Sequence, residues 1–182
     1  MKEISLNILD IAENSVKAGA TLTQIEILET DDSLKLIITD NGCGMSQEIL
    51  KDVTNPFYTT RTTRSVGLGL PLLKMAAEQT GGSMSIESKS EIQYPDSHGT
   101  VVTAVFNKKH IDYTPLGKVT DTVVTLIQGH PDTDFKFLHI RGTNEVELDT
   151  RELREILESV PLNTYEVIVW IKDNLHKQYE NL

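Results

Sequence analysis

Hydrophobic residues near the start of the chain recur at intervals of three and four, the spacing of one face of a helix. The positions are Ile4, Leu6, Ile8, Leu9, Ile11 and Val16. They predict a helix over residues 3–18 that ends at Gly19. Two β-rich runs follow, Thr23–Glu29 and Leu34–Thr39, and the polar residues Thr30–Ser33 between them predict a hairpin.

Further short elements are predicted before residue 107. Ser46 suits the N-cap of a short helix, because its hydroxyl can accept a hydrogen bond from a free backbone amide. Pro71 suits the first turn of a helix that runs to about Thr80 and ends at Gly81-Gly82. Two more strands are predicted at Ser83–Lys89 and Val101–Phe106.

The pattern after Phe106 predicts a second, smaller unit. Its predicted elements are a helix from Pro115 through Gln128, a hairpin of Phe135–Arg141 and Glu145–Leu148, a helix capped by Thr150, and a last segment over Thr164–Lys177. That last segment has helical spacing, although its Val-Ile-Val-Trp run also fits a strand. The aromatic residues expected in the core are Phe135, Phe137, Tyr165 and Trp170.

These elements predict an α+β fold with two domains. Residues 1–107 are expected to form a two-layer α/β sandwich, with helices on one face of a mixed sheet. Residues 108–182 are expected to form a small α/β C-terminal appendage of unknown role. This appendage either covers a surface that binds a partner or closes an edge of the sheet.

Composition and charge exclude some classes of function. The chain of 182 residues has a net charge of −10, which argues against sequence-independent binding to nucleic acid. Its apolar runs are shorter than the roughly 20 residues of a membrane helix, and its start lacks the pattern of a signal peptide. The single cysteine, Cys43, excludes an internal disulfide. We therefore expect a cytoplasmic protein that does not enter membranes.

One window of this acidic chain contains no acidic residue. It runs from Val53 to Ala77 and includes Arg61, Arg64 and Lys74. A window that is rich in threonine and glycine and free of carboxylates is what an anion site requires. A window of this length without acidic residues also occurs by chance, so it supports an anion site only together with the motifs around it.

The first helix carries a polar stripe of Asp10, Asn14 and Lys17. Residues at these spacings share one helix face. A carboxylate, an amide oxygen and an ammonium in a row can hold a magnesium ion, a water and a phosphate oxygen together. The exposed polar face of an amphipathic helix has the same spacing, so the stripe alone does not distinguish a binding site from a solvated surface.

A second motif, Asp40-x-Gly42-x-Gly44, follows the second strand. A carboxylate at a strand end can accept a hydrogen bond from the exocyclic amine of adenine. Glycines let the backbone pass close to a flat base because they have no side chain. An ordinary glycine-rich turn has the same residues.

The third motif is Asn55–Arg61, followed by Gly67-Leu68-Gly69-Leu70 and a helix. Glycines before a helix N-terminus expose backbone amides and the positive end of the helix dipole to an anion. The preceding loop supplies the further donors Thr59, Thr60 and Arg61. The fourth motif, Gly99-Thr100, opens the last strand of the first domain.

In this order, the four motifs resemble the N, G1, F/G2 and G3 boxes of the GHKL superfamily. That superfamily has the Bergerat fold and includes gyrase, the large heat-shock chaperones, histidine kinases and MutL-type repair ATPases. The resemblance covers roughly residues 1–107. Glu13-Asn14-Ser15 is similar to the MutL first box, whereas Lys17, Pro56–Arg61 and Gly67–Leu70 are similar to histidine kinases. The kinase type is favoured.

The resemblance implies a site for ATP and Mg²⁺. The implied binding residues are Asn14, Lys17, Asp40, Gly42, Gly44, Thr59, Thr60, Arg61, Gly67, Leu68, Gly69 and Thr100. Among them, Asn14 would coordinate the metal and Asp40 would contact adenine, with Thr100 in support. Asp10 occupies the position where hydrolysing members usually have a glutamate base, and it is one methylene shorter.

Three functions remain open. The first is a kinase in signal transduction that phosphorylates a histidine or serine of a separate protein in trans, as in two-component systems or as stand-alone anti-sigma kinases do. The second is an ATP-sensing module that changes a partner surface without phosphotransfer. The third, a slow conformational ATPase of the gyrase or MutL kind, is disfavoured by the short carboxylate. Phosphorylation in cis is not expected, because no histidine of the chain is followed by the acidic residue typical of the phosphorylated motif.

Overall fold

A computed structural model describes residues 3–53 and 69–182 of the chain. Its helices are α1 (Ile4–Lys17), α2 (Gln47–Asp52), α3 (Gly69–Gln79), α4 (Val119–Gly129), α5 (Thr150–Leu157) and α6 (Tyr165–Tyr179). Its strands are β1 (Leu22–Glu29), β2 (Ser33–Asp40), β3 (Ser83–Lys89), β4 (Gly99–Asn107), β5 (Asp134–Arg141) and β6 (Asn144–Asp149). The Ser46 hydroxyl accepts a hydrogen bond from the amide of Ile49, as predicted for the N-cap of α2.

The strands form one mixed sheet in the order β3-β4-β2-β1-β5-β6. Strand β1 pairs with β5 in parallel, and the other neighbouring pairs are antiparallel. The parallel pairing starts at Leu22 opposite Asp134 and continues to Glu29 opposite Arg141. Strands β5 and β6 therefore continue the sheet of the four earlier strands and cover the edge of β1.

The helices cover the buried face of this sheet. Along β1, Thr23, Ile25 and Ile27 are buried, and the residues that alternate with them are partly exposed. Helix α1 packs on β1 and β2 and lies in contact with α3 and α4. One hydrophobic core joins Ile8 of α1 to Phe135 of β5, so the two-layer α+β fold is confirmed.

Two helix starts differ from the sequence prediction. Helix α4 begins at Val119 and not at Pro115. The carbonyl oxygens of Pro115 and Leu116 instead accept hydrogen bonds from the amides of Ile4 and Ser5, at 3.0 and 2.8 Å. These bonds join the start of α1 to the C-terminal segment.

The cap of α5 is Asp149 and not Thr150, because the Asp149 carboxylate accepts a hydrogen bond from the amide of Arg151 at 3.0 Å. The Thr150 hydroxyl is used elsewhere: it accepts from the amide of Phe135 and donates to the Asp134 carboxylate, both at 2.9 Å. The predicted cap was one residue too late.

The last segment is a helix, α6, and not a strand. Its inward face consists of Val167, Ile171 and Leu175. Tyr165 is 77% exposed and Trp170 is 53% exposed, so the prediction that both lie in the core was wrong. The helical spacing explains this, because both residues stand outside the inward stripe. In the two described stretches, no helix is both long enough and apolar enough to cross a bilayer.

Helix α6 also caps the outer strand of the sheet. The Gln178 side chain accepts a hydrogen bond from the amide of Glu147 at 2.8 Å and donates one to its carbonyl oxygen at 3.0 Å. The amide group of Gln178 thus makes the pair of bonds that a neighbouring strand would make. This arrangement satisfies backbone groups of β6 that would otherwise form an open edge.

Candidate functional site

The carboxylate of Asp40 stands at the end of β2 and is held from two sides. Its Oδ2 accepts a hydrogen bond from the Ser15 hydroxyl at 2.8 Å, and its Oδ1 accepts one from the amide of Gly42 at 2.9 Å. Ser15 is buried on α1, so the first bond ties the strand end to that helix. The orientation of the carboxylate is therefore determined by a helix and by its own turn.

Asn41 fixes the same turn to the start of β1. Its Oδ1 accepts hydrogen bonds from the amides of Thr21 and Leu22, both at 2.9 Å, and its Nδ2 donates to the Thr21 hydroxyl at 2.7 Å. Sequence reasoning did not identify Asn41. An asparagine directly after a strand is a signal for such a turn, because its side chain readily bonds to nearby backbone groups.

The glycines of the second motif are required by close backbone approaches. A Cβ on Gly42 would lie 2.9 Å from the Cβ of Ala18 and 3.0 Å from its carbonyl oxygen. Gly44 has a positive φ of 63°, and a Cβ there would overlap the carbonyl oxygen of Lys89. Both glycines therefore let this turn pack between α1 and the end of β3.

Thr100 lies directly opposite Asp40 in the pairing of β2 with β4. Its hydroxyl is 2.9 Å from the hydroxyl of Ser88, which also accepts a hydrogen bond from the amide of Met45 at 2.8 Å. Gly99 precedes Thr100 with a φ of 137°, and a Cβ there would overlap the carbonyl oxygen of Asp40. The structure thus brings Asp40 and Thr100 together, as the motif order suggested.

The polar stripe of α1 faces the start of α3. Gly69 begins α3, and a Cβ on it would lie 3.0 Å from the Cβ of Asp10 and 3.8 Å from the Nδ2 of Asn14. Asn14 is followed directly by Ser15, the residue bonded to Asp40. Lys17 is exposed in the last turn of α1. Asp10 and Asn14 therefore face Gly69 from α1, and Asp40 is bonded to the next residue of the same helix.

Five residues expected at the site cannot be placed. Thr59, Thr60, Arg61, Gly67 and Leu68 lie outside the described residues. The described part of the site consists of a carboxylate and a hydroxyl at the strand ends, and of a carboxylate and an amide beside the N-terminus of α3. The role of each as a binding residue stays a prediction.

The chain is similar to several known proteins. The profile of the family described as "Histidine kinase-, DNA gyrase B-, and HSP90-like ATPase" matches residues 2–110. A putative sensor histidine kinase NtrY-like of Rickettsia conorii is 27% identical over 114 residues, which are 62% of this chain and 18% of that protein. Sporulation kinase C of Bacillus subtilis is 31% identical over 90 residues, which are 50% of this chain and 21% of that protein.

The chain thus spans about a fifth of the length of these two curated relatives. Among solved structures, the Aquifex aeolicus MutL ATPase domain complexed with ADP matches with a TM-score of 0.55 and 14% identity. The match covers 87% of this chain and 70% of that one, and it shows the fold alone. Since the family profile covers more than half of the sequence, the chain belongs to the family of histidine kinase-, gyrase B- and HSP90-like ATPases.

Proposed function

We propose that the chain binds Mg²⁺·ATP between Asp40 and the start of α3, and that it transfers the γ-phosphoryl group to a histidine or serine of a separate protein. The observation that carries this proposal is the hydrogen bond from Ser15 of α1 to Asp40. Ser15 follows Asn14, so the carboxylate proposed for the base is bonded to the residue next to the amide proposed for the metal. The named kinases among the relatives support phosphotransfer over simple hydrolysis.

At the base end, Asp40 would accept a hydrogen bond from the exocyclic amine of adenine. Each of its carboxylate oxygens accepts one hydrogen bond within the described residues, from Ser15 or Gly42. An ionised carboxylate has about four acceptor sites, so capacity remains for the base. Thr100, opposite Asp40, is placed to support the contact directly or through water.

At the phosphate end, α3 would offer the free backbone amides of its first turn other than Pro71, which has no N–H group, and such amides attract anions. The absence of a side chain at Gly69 keeps this helix close to Asp10 and Asn14. Within residues 3–53 and 69–182, no cluster of three or more His, Cys, Asp or Glu side chains is placed to hold a metal ion. In the proposed site, Mg²⁺ would be held by Asn14 and would complete its oxygen ligands with phosphates and water.

Bound ATP would supply the γ-phosphoryl group: the bond from its phosphorus to the β,γ-bridging oxygen would break as the bond to the acceptor forms, and ADP would leave. The protein's part in such a transfer is mainly to position the groups and to stabilise charge. In this proposal, Asn14 and the N-terminus of α3 would orient the phosphates. Asp10 lies beside Gly69 on the same side, where it can accept a proton from an incoming hydroxyl or water.

A second function, ATP sensing without transfer, is favoured by one specific observation. Helix α1 is bonded to the C-terminal segment at both ends: Ile4 and Ser5 bond to Pro115 and Leu116, and the Glu13 carboxylate lies 2.7 Å from His130 Nε2. A ligand that moves α1 would therefore act directly on residues beyond the first domain.

The binding site is tested by calorimetry of ATP with Mg²⁺ on Asp40→Asn. The substitution replaces one acceptor oxygen by a donor, so ATP binding should be abolished. Asp31→Asn, in the exposed turn between β1 and β2, is the matched control and should bind like the wild type. Asn14→Ala should mainly remove the Mg²⁺ dependence of binding. Unchanged ATP affinity in Asp40→Asn would refute the assignment of the site.

Phosphotransfer is tested with radiolabelled ATP and candidate partner proteins from the same cell. Label on a partner, absent with Asp40→Asn, is the result that the kinase proposal requires. ATP binding without label on any partner and without release of phosphate would favour the sensor. Steady release of free phosphate without a labelled protein would favour the slow ATPase.

A further inference from the structure

The connection between β3 and β4 lies against the turn that carries Asp40. We call residues 40–44 the base loop. The carbonyl oxygen of Gly42 lies 2.6 Å from Nδ1 of His98, and the carbonyl oxygen of Cys43 accepts a hydrogen bond from the amide of Glu91 at 2.9 Å. Two successive carbonyl oxygens of the base loop are thus bonded by one connection.

The two hydrogen bonds differ in whether they require a particular type of residue. The bond from Glu91 comes from a backbone amide, which nearly every residue type can supply. The bond to Gly42 comes from an imidazole, and a carbonyl oxygen can only accept. Nδ1 of His98 must therefore carry a hydrogen. Residue 98 consequently contributes a side-chain function that alanine cannot replace.

His98 reaches Gly42 because of the pairing next to it. Thr100 stands opposite Asp40, so the chain before it runs back along the base loop. Gly99 makes the approach possible, since any side chain there would overlap the carbonyl oxygen of Asp40. His98 itself is half-buried. The bond is therefore part of a fixed backbone arrangement and is not a chance contact of a solvated side chain.

Gly42 connects His98 to the carboxylate of the site. Its amide donates to Asp40 Oδ1 at 2.9 Å, while its carbonyl oxygen is the group held by His98. A rotation of the loop that broke the His98 bond would also shift the amide that orients the carboxylate. The imidazole thus acts on Asp40 through one residue.

We propose that His98 is a positioning residue for the nucleotide site: its Nδ1–H holds the base loop in the conformation that binds adenine before the nucleotide arrives. This rests on the proposed function, in which Asp40 receives the base. The loss of His98 would not remove a contact to ATP. Without His98, the base loop would be ordered only when ATP binds, and the free energy needed for this ordering would lower the affinity for ATP.

The first test is the tautomer of His98 in the nucleotide-free protein. Nitrogen-15 NMR of the neutral imidazole should show the hydrogen on Nδ1. A hydrogen on Nε2 would overturn the proposal, because the ring could then not donate to Gly42. This test does not depend on whether the chain binds ATP.

The second test compares ATP affinities by calorimetry in His98→Ala and His98→Asn. Loss of one ordering hydrogen bond should weaken ATP about tenfold in His98→Ala. Asparagine carries an N–H group in nearly the same place as Nδ1, so His98→Asn should bind within about twofold of the wild type. The control is His176→Ala on α6, which is exposed and should bind like the wild type.

The effect should concern the base and not the phosphates, so ADP without Mg²⁺ should show the same fold-change as ATP with Mg²⁺. Equal affinities of His98→Ala and wild type would overturn the inference and leave the proposed function intact. His98→Asn no tighter than His98→Ala would also overturn it. A wild type that binds neither nucleotide would refute the proposed function itself.

Discussion

The hydroxyl of Ser15 and the carboxylate of Asp40 form a hydrogen bond of 2.8 Å that joins α1 to the end of β2. Ser15 is buried and is next to Asn14, the residue proposed for the metal. The carboxylate proposed for the base is therefore bonded to the residue next to the amide proposed for the metal, on one turn of one helix. This relationship sets the distance between the two ends of the site.

The first prediction concerns Ser15→Ala. Removing the hydroxyl frees one oxygen of Asp40, and the affinity for ATP should fall about three- to tenfold. The stability should change little, because alanine favours helices. Calorimetry and urea unfolding measure the two effects. Ser5→Ala, on the same helix but bonded to Glu3, is the control and should leave ATP affinity unchanged. A loss of affinity equal in both variants would contradict the role of Ser15.

The second prediction concerns Gly44→Ala. Gly44 and Gly19 both have positive φ angles, of 63° and 78°, so alanine at either costs about 1–2 kcal/mol of backbone strain. At Gly19 nothing lies within 4 Å of an added Cβ, whereas at Gly44 it would overlap the carbonyl oxygen of Lys89. Urea unfolding should therefore show a larger loss for Gly44→Ala than for Gly19→Ala. Equal losses of unfolding free energy in the two variants would mean that the turn at Gly44 moves away from Lys89 without loss of stability.

The sequence could predict the local elements but not their distant partners. The hairpin of β1 and β2 and the end of α3 follow from turn residues and glycines beside them in the chain. The parallel pairing of β1 with β5 has no such local signal, because the two strands are far apart in sequence. Tyr165 and Trp170 are large aromatic residues, which are typical of a core, but both lie outside the inward face of α6 and are exposed.

At the site, the sequence could predict residues with a recurrent chemistry. The structure places Gly69 beside Asp10 and Asn14, and Thr100 opposite Asp40. The role of these residues in binding stays a prediction. The supporting residues were not identified. They are Ser15, Asn41, Ser88 and His98, and each bonds to a side chain or backbone group whose place is known only from the fold.

A buried ionisable cluster lies at the other end of β1. His139 Nε2 is 2.9 Å from the Glu29 carboxylate, its Nδ1 is 3.0 Å from the Tyr179 hydroxyl, and Lys108 lies 2.6 Å from Glu29. Burial raises the pKa of Glu29, but the hydrogen bonds and charges of Lys108 and His139 together lower it by more, so the pKa lies below its ordinary value. Burial lowers the pKa of His139 below 6.5 despite the opposing bond to Glu29, with a further lowering by Arg141 and Lys108.

The third prediction is a loss of stability in mild acid. Below about pH 6.5, His139 takes up a proton in the unfolded chain but stays neutral in the folded protein, because its folded pKa is lower. The free energy of unfolding therefore falls as the pH falls. Glu29 acts in the same direction at lower pH, since its folded pKa is below 4.5. His139→Gln should be less stable at neutral pH but should show a flatter pH dependence between about pH 5 and 6.5.

Urea unfolding across this range measures the slope. The exposed His176 provides the control, and His176→Gln should keep the slope of the wild type. A wild-type slope that persists in His139→Gln would show that other groups titrate on unfolding in this range.

The fourth prediction concerns Gln178→Ala. Without the side-chain amide, the amide of Glu147 loses its acceptor at 2.8 Å, and its hydrogen exchange should become about tenfold faster. Lys177→Ala, at the exposed neighbouring position, should leave this rate unchanged. Native-state hydrogen exchange followed by NMR gives both rates. Equal rates in the two variants would show that the protection of Glu147 has another source.

The pairing of β1 with β5 has a practical consequence for anyone who isolates the nucleotide-binding part. A fragment that stopped at Asn107 would keep every described residue of the proposed site but would strip one side of β1 of its partner. It would also uncover the flank of α1 that α4 shields. Unpaired backbone N–H and C=O groups of an edge strand, next to exposed aliphatic side chains, favour association with another copy of the fragment. Such a fragment should precipitate or pair with itself, although nothing that touches ATP had been removed.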